Sequence, residues 1–315
     1  MKHKIIVNPT AGRGSAESRI PELEQLLRQH GTEYELVRTE RPMHAAELAL
    51  QAAGQGFEVV VAAGGDGTSN EVLNGLMAAK KKSSSIPAMG ILSVGRGNDF
   101  AYGAGVPGSL EEGCAVLAGG HRQPMDVGHL VGGDFPQGRY FGNGIGVGFD
   151  TVVGLEAAKM KWAKGFIGYV IGALKTMFLY YRAPLVRIAF GESPIEQKSI
   201  QISVMNGRRM GGTFYMAPES RNDDGLLDLC IADEMPRLAM LALIMKYMKG
   251  TQGDSPHIRT GRGRTVEIRA LDGELVVHAD GETIGIHAQS LQVECLPGAV
   301  QMVCRPPQGG QGGGA

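Results

Sequence analysis

The residues whose types and spacing could do chemistry begin in 57–75, FEVVVAAGGDGTSNEVLNG. An apolar run, Val59-Val60-Val61-Ala62-Ala63, stops at Gly64-Gly65-Asp66-Gly67. Thr68 and Glu71 have the S/T-x-x-E spacing of a capping box, which predicts a helix starting at Thr68. A strand ending in glycines beside a helix N-terminus aims backbone N–H groups and the positive end of a helix dipole at one place, which suits a phosphate. Asp66 repels a phosphate unless a cation, a proton or a hydroxyl donor stands between them. A tight turn with a capping carboxylate is the plainer alternative for Gly-Gly alone. The full GGDGTxNE string favours nucleotide phosphates. Two further loops carry glycines, NPTAGRG at 8–14 and Gly95-Arg96-Gly97-Asn98-Asp99. The first contains G-x-G without the third glycine of a dinucleotide fingerprint, and no loop reads GxxxxGK[ST], which excludes a Walker P-loop. Arg13, Arg38 and Arg96 are the nearest cations in sequence, or else solvated surface residues.

The second half holds the other candidate groups. Asn222-Asp223-Asp224-Gly225-Leu226-Leu227-Asp228 is either an ordinary Asp-Gly turn or a carboxylate turn able to hold a hard cation. His278, Asp280 and Glu282 share one face if a single strand runs through Gly281, as a transition-metal set would. The preferred reading closes a turn at Asp280-Gly281-Glu282 and presents a carboxylate that could orient and deprotonate a hydroxyl acceptor.

Alternating elements must position the first set. Strands are predicted at 4–8, 33–39, 59–63 and 86–94. Helices are predicted with Ile20, Leu23, Leu26 and Leu27 on one face, from near Pro42 to Gly54, from Thr68, and briefly after Phe100. This is the pattern of a parallel α/β sheet, whose ligands bind at the carboxyl ends of the strands. Beyond about residue 125 strand-like runs follow one another, at 126–131, 139–149, 184–190, 198–206, 226–231, 264–269, 274–280, 290–296 and 299–304, and predict a mainly β domain. Two helical stretches interrupt it. Residues 152–181 mix lysines with Trp162, Phe166 and tyrosines, as an interfacial helix pair or a packed helix with a solvated lysine face would. Residues 236–249 are Met- and Leu-rich, which suits core packing or a cleft for lipid chains.

With 315 residues, 43% hydrophobic and 20% charged, the chain is long enough for two domains. A net charge of −1 argues against nucleic acid held by bulk electrostatics. Four scattered cysteines without CxxC fit buried thiols in a reducing compartment. The N-terminus enters a strand without a signal-peptide layout, and no apolar stretch approaches the ~18 residues of a membrane span, so a cytoplasmic protein is expected.

In order along the chain, NPTAGRG (8–14), GGDGTSNEVLNG (64–75), GRGNDFA (95–101), DVG (126–128), FGNGIGVGFD (141–150), Asn206-Gly207, Met210-Gly211-Gly212, Ala217-Pro218, DDGLLDL (223–229) and DGE (280–282) resemble the diacylglycerol kinase catalytic family, in its bacterial soluble DgkB/YegS-like branch. GGDGT alone is shared with NAD kinases and phosphofructokinase-like enzymes; the ordered set is more specific. The resemblance implies an NAD-kinase-like α/β nucleotide domain at 1–125, rejoined by 291–305, and a β-sandwich lipid-substrate domain at 126–290, with the active site between them; the Pro/Gly/Gln composition of 306–315 predicts a disordered tail. It implies ATP bound by Asn8, Pro9, Thr10, Ala11, Gly12, Thr39, Gly65, Asp66, Gly67, Thr68, Ser69, Asn70, Glu71 and the Arg96 loop. It implies Glu282 as base, with Asp66 the second choice. It implies Mg²⁺ held by Asp224 and by backbone oxygens of Arg221 and Leu226, with Asp66 and Asp99 in a water–metal network. The family usually has Thr where this chain has Arg96. The implied activity is transfer of the ATP γ-phosphoryl group to a lipid hydroxyl, first of all that of diacylglycerol, with transient contact at the inner face of the membrane. An NAD kinase and a nucleotide-binding lipid sensor without turnover are the alternatives. A homodimer through an edge strand or apolar patch stays open.

Overall fold

The structure, a computed structural model, describes residues 1–83, 85–95, 97–159, 175 and 182–306, apart from the side chains of residues 13 and 157–159. In the first part of the chain, β1 (Lys2–Val7), α1 (Ser15–Ser18), α2 (Ile20–Gln29), β2 (Glu33–Arg38), α3 (His44–Ala53), β3 (Val59–Gly64), α4 (Asp66–Lys80), β4 (Ala88–Ser93), α5 (Asp99–Gly103) and α6 (Leu110–Gly119) alternate. Then follow β5 (Arg122–Gly132), β6 (Phe135–Phe141), β7 (Gly144–Gly148), α7 (Phe149–Lys159), β8 (Leu185–Ala189), β9 (Ile195–Met205), β10 (Leu227–Asp233) and α8 (Arg237–Lys249). The chain closes with β11 (Ile258–Gly263), β12 (Thr265–Ala270), β13 (Leu275–Ala279), β14 (Glu282–Ala288) and β15 (Ser290–Val303).

Two compact units result. The first comprises Met1–Arg96, Ala104–Pro124 and Val300–Ala315; the second comprises Gly97–Gly103 and Met125–Ala299. Residues 97–103, expected in the first domain, therefore group with the second, and the chain returns at 300 rather than 291. The first unit is a parallel sheet in the order β2-β1-β3-β4, with Met302 of β15 pairing Met89 of β4 in parallel as a fifth strand. Val59, Val61 and Ala63 join Ile20, Leu23 and Leu27 of α2 and Leu110, Cys114 and Leu117 of α6 in one core. Val60 and Ala62, equally buried, point the other way, as strand alternation requires. α3 and α4 also pack on the sheet, and their residues are absent from that core. They pack closely on each other. A Cβ on Gly75 of α4 would stand 2.2 Å from the Ala46 carbonyl oxygen, so no larger residue fits that crossing. Both faces are thus covered, which is why β3 and β4 read as unbroken apolar runs.

The second unit is mainly antiparallel. β9 serves both of its layers: residues 195–198 pair with β8, and residues 201–205 pair with β7 on one side and β10 on the other. From β8 the pairing runs on to β12 and β15, and from β7 to β13 and β14. Inward residues of both layers form one core, including Ile145, Val204, Leu229, Ile268, Val277 and Leu291.

Several expected boundaries change. The strand expected at 139–149 is two strands, broken at Gly142-Asn143 because the amides of residues 142–144 turn to a carboxylate described below. The runs 290–296 and 299–304 are one strand, β15, crossing Pro297. β11 and β14 lie in IRTGRG and ETIGIHA, where glycines and charges hide the alternation. α3 starts at His44 rather than near Pro42, after Met43 in left-handed geometry (φ 64°).

Candidate active site

β1 has β2 on one side and β3 on the other, so successive connections leave it in opposite directions along the sheet. That is a topological switch point, and open α/β sheets bind their ligands at such a point, here at the carboxyl ends of β1 and β3. The loops 8–14 and 64–68 leave from there. Asn8 Nδ2 donates to Thr68 Oγ1 at 3.1 Å, and Asn8 Oδ1 accepts from the Thr10 amide (3.1 Å) and hydroxyl (2.8 Å). The amides of Val94 and Gly95 both donate to the Gly64 carbonyl, at 3.1 and 3.0 Å. A Cβ on Gly12 would stand 2.8 Å from the Val94 carbonyl oxygen, and one on Gly64 2.3 Å from Thr68 Oγ1, so these positions exclude side chains. They let the loops close against the Ser15 and Thr68 side chains and the Val94 carbonyl. α4 then opens at Asp66, with Gly65 as N-cap and no side chain capping it. Its first-turn N–H groups suit an anion, and this cradle fits a nucleotide phosphate.

This start corrects the capping-box reading. Thr68 already lies inside the helix and takes the Asn8 bond. Glu71 serves another helix: its Oε1 accepts from the Met43 amide at 2.9 Å and its Oε2 from the Ala45 amide at 3.1 Å, capping α3. Ser69 is buried, and Asn70, also buried, accepts from Asn74 Nδ2 through its carbonyl and side-chain oxygens. Of the expected nucleotide residues, the structure places Asn8, Pro9, Thr10, Ala11 and Gly12 on the loop after β1 and Gly65, Asp66, Gly67 and Thr68 at the start of α4. Thr39 follows β2, its amide donating to the Val7 carbonyl. Arg96 and the Arg13 side chain lie outside the described residues, as does most of 152–181.

Asp99 belongs to the second unit. Its Oδ1 accepts from Arg209 Nε at 2.9 Å, and the Gly212 amide reaches both of its oxygens. Burial raises its carboxyl pKa, against the lowering effect of that amide and of Arg209. The Arg209 guanidinium also stacks 3.8 Å from the Tyr102 ring centre. Asp99 thus ties α5 to the 210–212 turn.

The candidate base sits on a hairpin. Asp280 and Gly281 have φ of 46° and 83° and form the two-residue turn between β13 and β14. The single-strand reading of His278, Asp280 and Glu282 is thereby corrected, and the turn reading holds. Asp280 is buried and accepts the amides of Gly142 (2.8 Å), Asn143 (3.0 Å) and Gly144 (3.0 Å). Glu282 opens β14 with 31% of its side chain exposed and pairs with the buried Arg139 guanidinium. His278 instead meets Asp150 of α7, Nε2 to Oδ2 at 3.3 Å.

The acidic turn is held from within. Asp126, buried at the middle of β5, accepts the amides of Gly225 (2.6 Å) and Gly298 (2.7 Å). Asp223 pairs with Arg221. Asp224 Oδ1 accepts from the Leu226 amide at 3.1 Å and its Oδ2 pairs with Arg262, which also binds Asp228 at 2.9 Å. An all-oxygen set of Asp224 and the carbonyls of Arg221 and Leu226 has the chemistry for Mg²⁺. Both Asp224 oxygens face donors, however, so this arrangement does not fit the ion unless Arg262 withdraws. Among the described residues no group of three or more His, Cys, Asp or Glu is placed to hold a metal. Arg139, Arg209 and Arg262 carried no sequence signal, because each partner lies far away along the chain. Asp126 was visible only within the DVG motif.

The diacylglycerol kinase catalytic domain model matches residues 2–130, and the YegS C-terminal NAD kinase beta sandwich-like domain model matches residues 143–304. A "Probable lipid kinase YegS-like" of Cronobacter sakazakii is 32% identical over 90% of this chain and 89% of its own length. The chain belongs to the diacylglycerol kinase catalytic family. A family relative named diacylglycerol kinase, from Bacillus subtilis, is 27% identical over 90% of both chains. The fold recurs in a diacylglycerol kinase structure from Bacillus anthracis (TM-score 0.71, 22% identity, 97% of both chains). It recurs more distantly in yeast NADH kinase complexed with NADH (TM-score 0.51, 9% identity, 97% of this chain and 84% of that one). The likeness to these two structures is one of fold.

Proposed function

We propose that this chain is an ATP-dependent lipid kinase that transfers the γ-phosphoryl group of ATP to the hydroxyl of a lipid alcohol, with diacylglycerol as the first acceptor to test. Family membership supports the reaction class. The observation that carries the site reading is the cradle where residues 8–14 meet the start of α4 at the switch point, tied together by the Asn8–Thr68 hydrogen bond and opening on the first-turn N–H groups. There the N–H groups of the α4 first turn hold phosphate oxygens, and Gly12 and Gly64 let the loops close tightly on Val94 and Thr68 to form the site. ATP enters as its Mg²⁺ complex, whose ion offsets phosphate charge. Glu282, half-exposed on a turn that Asp280 anchors, takes the acceptor hydroxyl proton; Asp66 is the second choice. Positioning carries most of the rate, because phosphoryl transfer asks little covalent chemistry of the protein.

The test is label transfer from radioactive MgATP to a panel of lipid alcohols in mixed micelles and, separately, to NAD. Glu282→Gln is expected to keep the fold and lower lipid phosphorylation at least about 100-fold, the usual weight of a general base. Near-normal turnover by that variant would remove Glu282 from the role. Labelled NADP without a lipid product would move the chain to NAD-kinase chemistry.

A further inference from the structure

Helix α8 (Arg237–Lys249, RLAMLALIMKYMK) is apolar on two faces. Met240, Leu243 and Tyr247 point inward and are buried with Met205, Met216 and Cys230. Leu238, Leu241 and Met245 point outward, 80%, 38% and 53% exposed. At about 100° per residue those three fall within an arc of about 60°, with Arg237 and Lys246 toward its two edges and Lys249 at its C-terminal end. The helix has three basic residues and no acidic one, in a chain of net charge −1. The two carboxylates just before it are engaged, Asp233 with His257 and Glu234 with Lys198. A helix apolar all round is ordinarily buried on all sides, so the outer stripe asks for an occupant.

We propose that the outer face of α8 docks the enzyme on an anionic lipid bilayer, lying in the interface with Leu238, Leu241 and Met245 among the acyl chains. This rests on the lipid-kinase reading for its purpose, and on the α8 surface alone for its physics. Thirteen residues make about 20 Å of helix, which suits lying in the plane and is too short to span. Lys246 and Lys249 reach up to headgroup phosphates while their stems cover apolar surface. Charge complementarity favours lipid over a second copy. A two-fold contact would set this patch against itself, basic rim on basic rim, with no carboxylate on the helix to pair.

The test uses the full chain without ATP, sedimented with vesicles of phosphatidylcholine alone or with roughly a third phosphatidylglycerol. The wild type should bind the anionic vesicles and release as salt rises. Leu238→Ser/Leu241→Ser/Met245→Ser should bind them at least about tenfold more weakly, since serine forfeits the acyl contact. Lys246→Gln/Lys249→Gln should lose the preference for phosphatidylglycerol. All five positions lie on the helix surface, and unchanged circular dichroism and melting exclude misfolding. Both variants should phosphorylate a short-chain diacylglycerol in detergent at the wild-type rate. Vesicle binding undiminished by the serine triple overturns the proposal. A wild-type dimer that the serine triple converts to monomer, with vesicle binding unchanged, overturns it in favour of a second copy. Lost vesicle binding in the variants, with no lipid phosphorylated by any form, upholds the docking face and removes the kinase reading; the two failures are therefore distinguishable.

Discussion

The carboxylate of Asp280 accepts the amides of Gly142, Asn143 and Gly144, so one side chain ties the Glu282 hairpin to the start of β7. Asp280→Ala leaves three buried N–H groups without that acceptor, at about 1–3 kcal/mol each. A loss of about 3 kcal/mol or more in urea unfolding is expected, with Asp280→Asn recovering part of it. A loss under about 1 kcal/mol would mean the amides find other acceptors. Asp99 gives a pH-dependent case. Its folded carboxyl pKa is raised by burial, so its contribution to stability is fullest below the ordinary carboxylate range and is lost as pH climbs through the raised value. Asp99→Asn removes that titration. The stability of the variant relative to wild type should therefore rise with pH from about 4 upward in denaturant melts. A difference that stays flat would mean Asp99 titrates as it does in the unfolded chain.

Among the elements, α3 and α4 show how a local pattern misleads. Thr68 and Glu71 match a capping box, yet Glu71 caps α3 and Thr68 bonds Asn8. The box needs Thr68 outside the helix, but Gly65, free of a Cβ, is the N-cap and starts the helix three residues earlier. Glu71→Ala should cost about 1–2 kcal/mol by stripping two charge-assisted caps from α3. Hydrogen exchange should locate the loss in residues 43–47 rather than at the start of α4. Protection lost first at 66–68 would restore the capping box. Element type was legible wherever burial was one-sided or complete, as in β1, β3, β4 and α2. It was hidden in β11 and β14, where glycines and charges break the alternation.

Over the whole molecule the four cysteines divide evenly, Cys114 and Cys304 in the first unit and Cys230 and Cys295 in the second. Burial lifts the thiols of Cys114 and Cys230 to about 11 and that of Cys295 to about 12, and raises Cys304. At pH 8 a thiol with a pKa of 11 is about one part in a thousand thiolate. The native protein should resist a thiol reagent, and all four should react once denaturant opens the cores. Mass-spectrometric mapping along the titration then reports which unit opens first. Rapid labelling of the native protein would contradict the burial of these side chains.

The sequence by itself determined the glycine loops, the change from alternating to consecutive strands near residue 125, and the Asp-Gly-Glu turn. Each is written in neighbouring residues, through backbone freedom at glycine and the periodicity of burial. Only the tertiary structure decided that β1 is a switch point, that Asp280 holds residues 142–144, that Arg139 meets Glu282 and that Arg262 meets Asp224. Those partners stand from 38 to 143 residues apart. No local spacing encodes such pairs, because they exist only after strand order and register have been set.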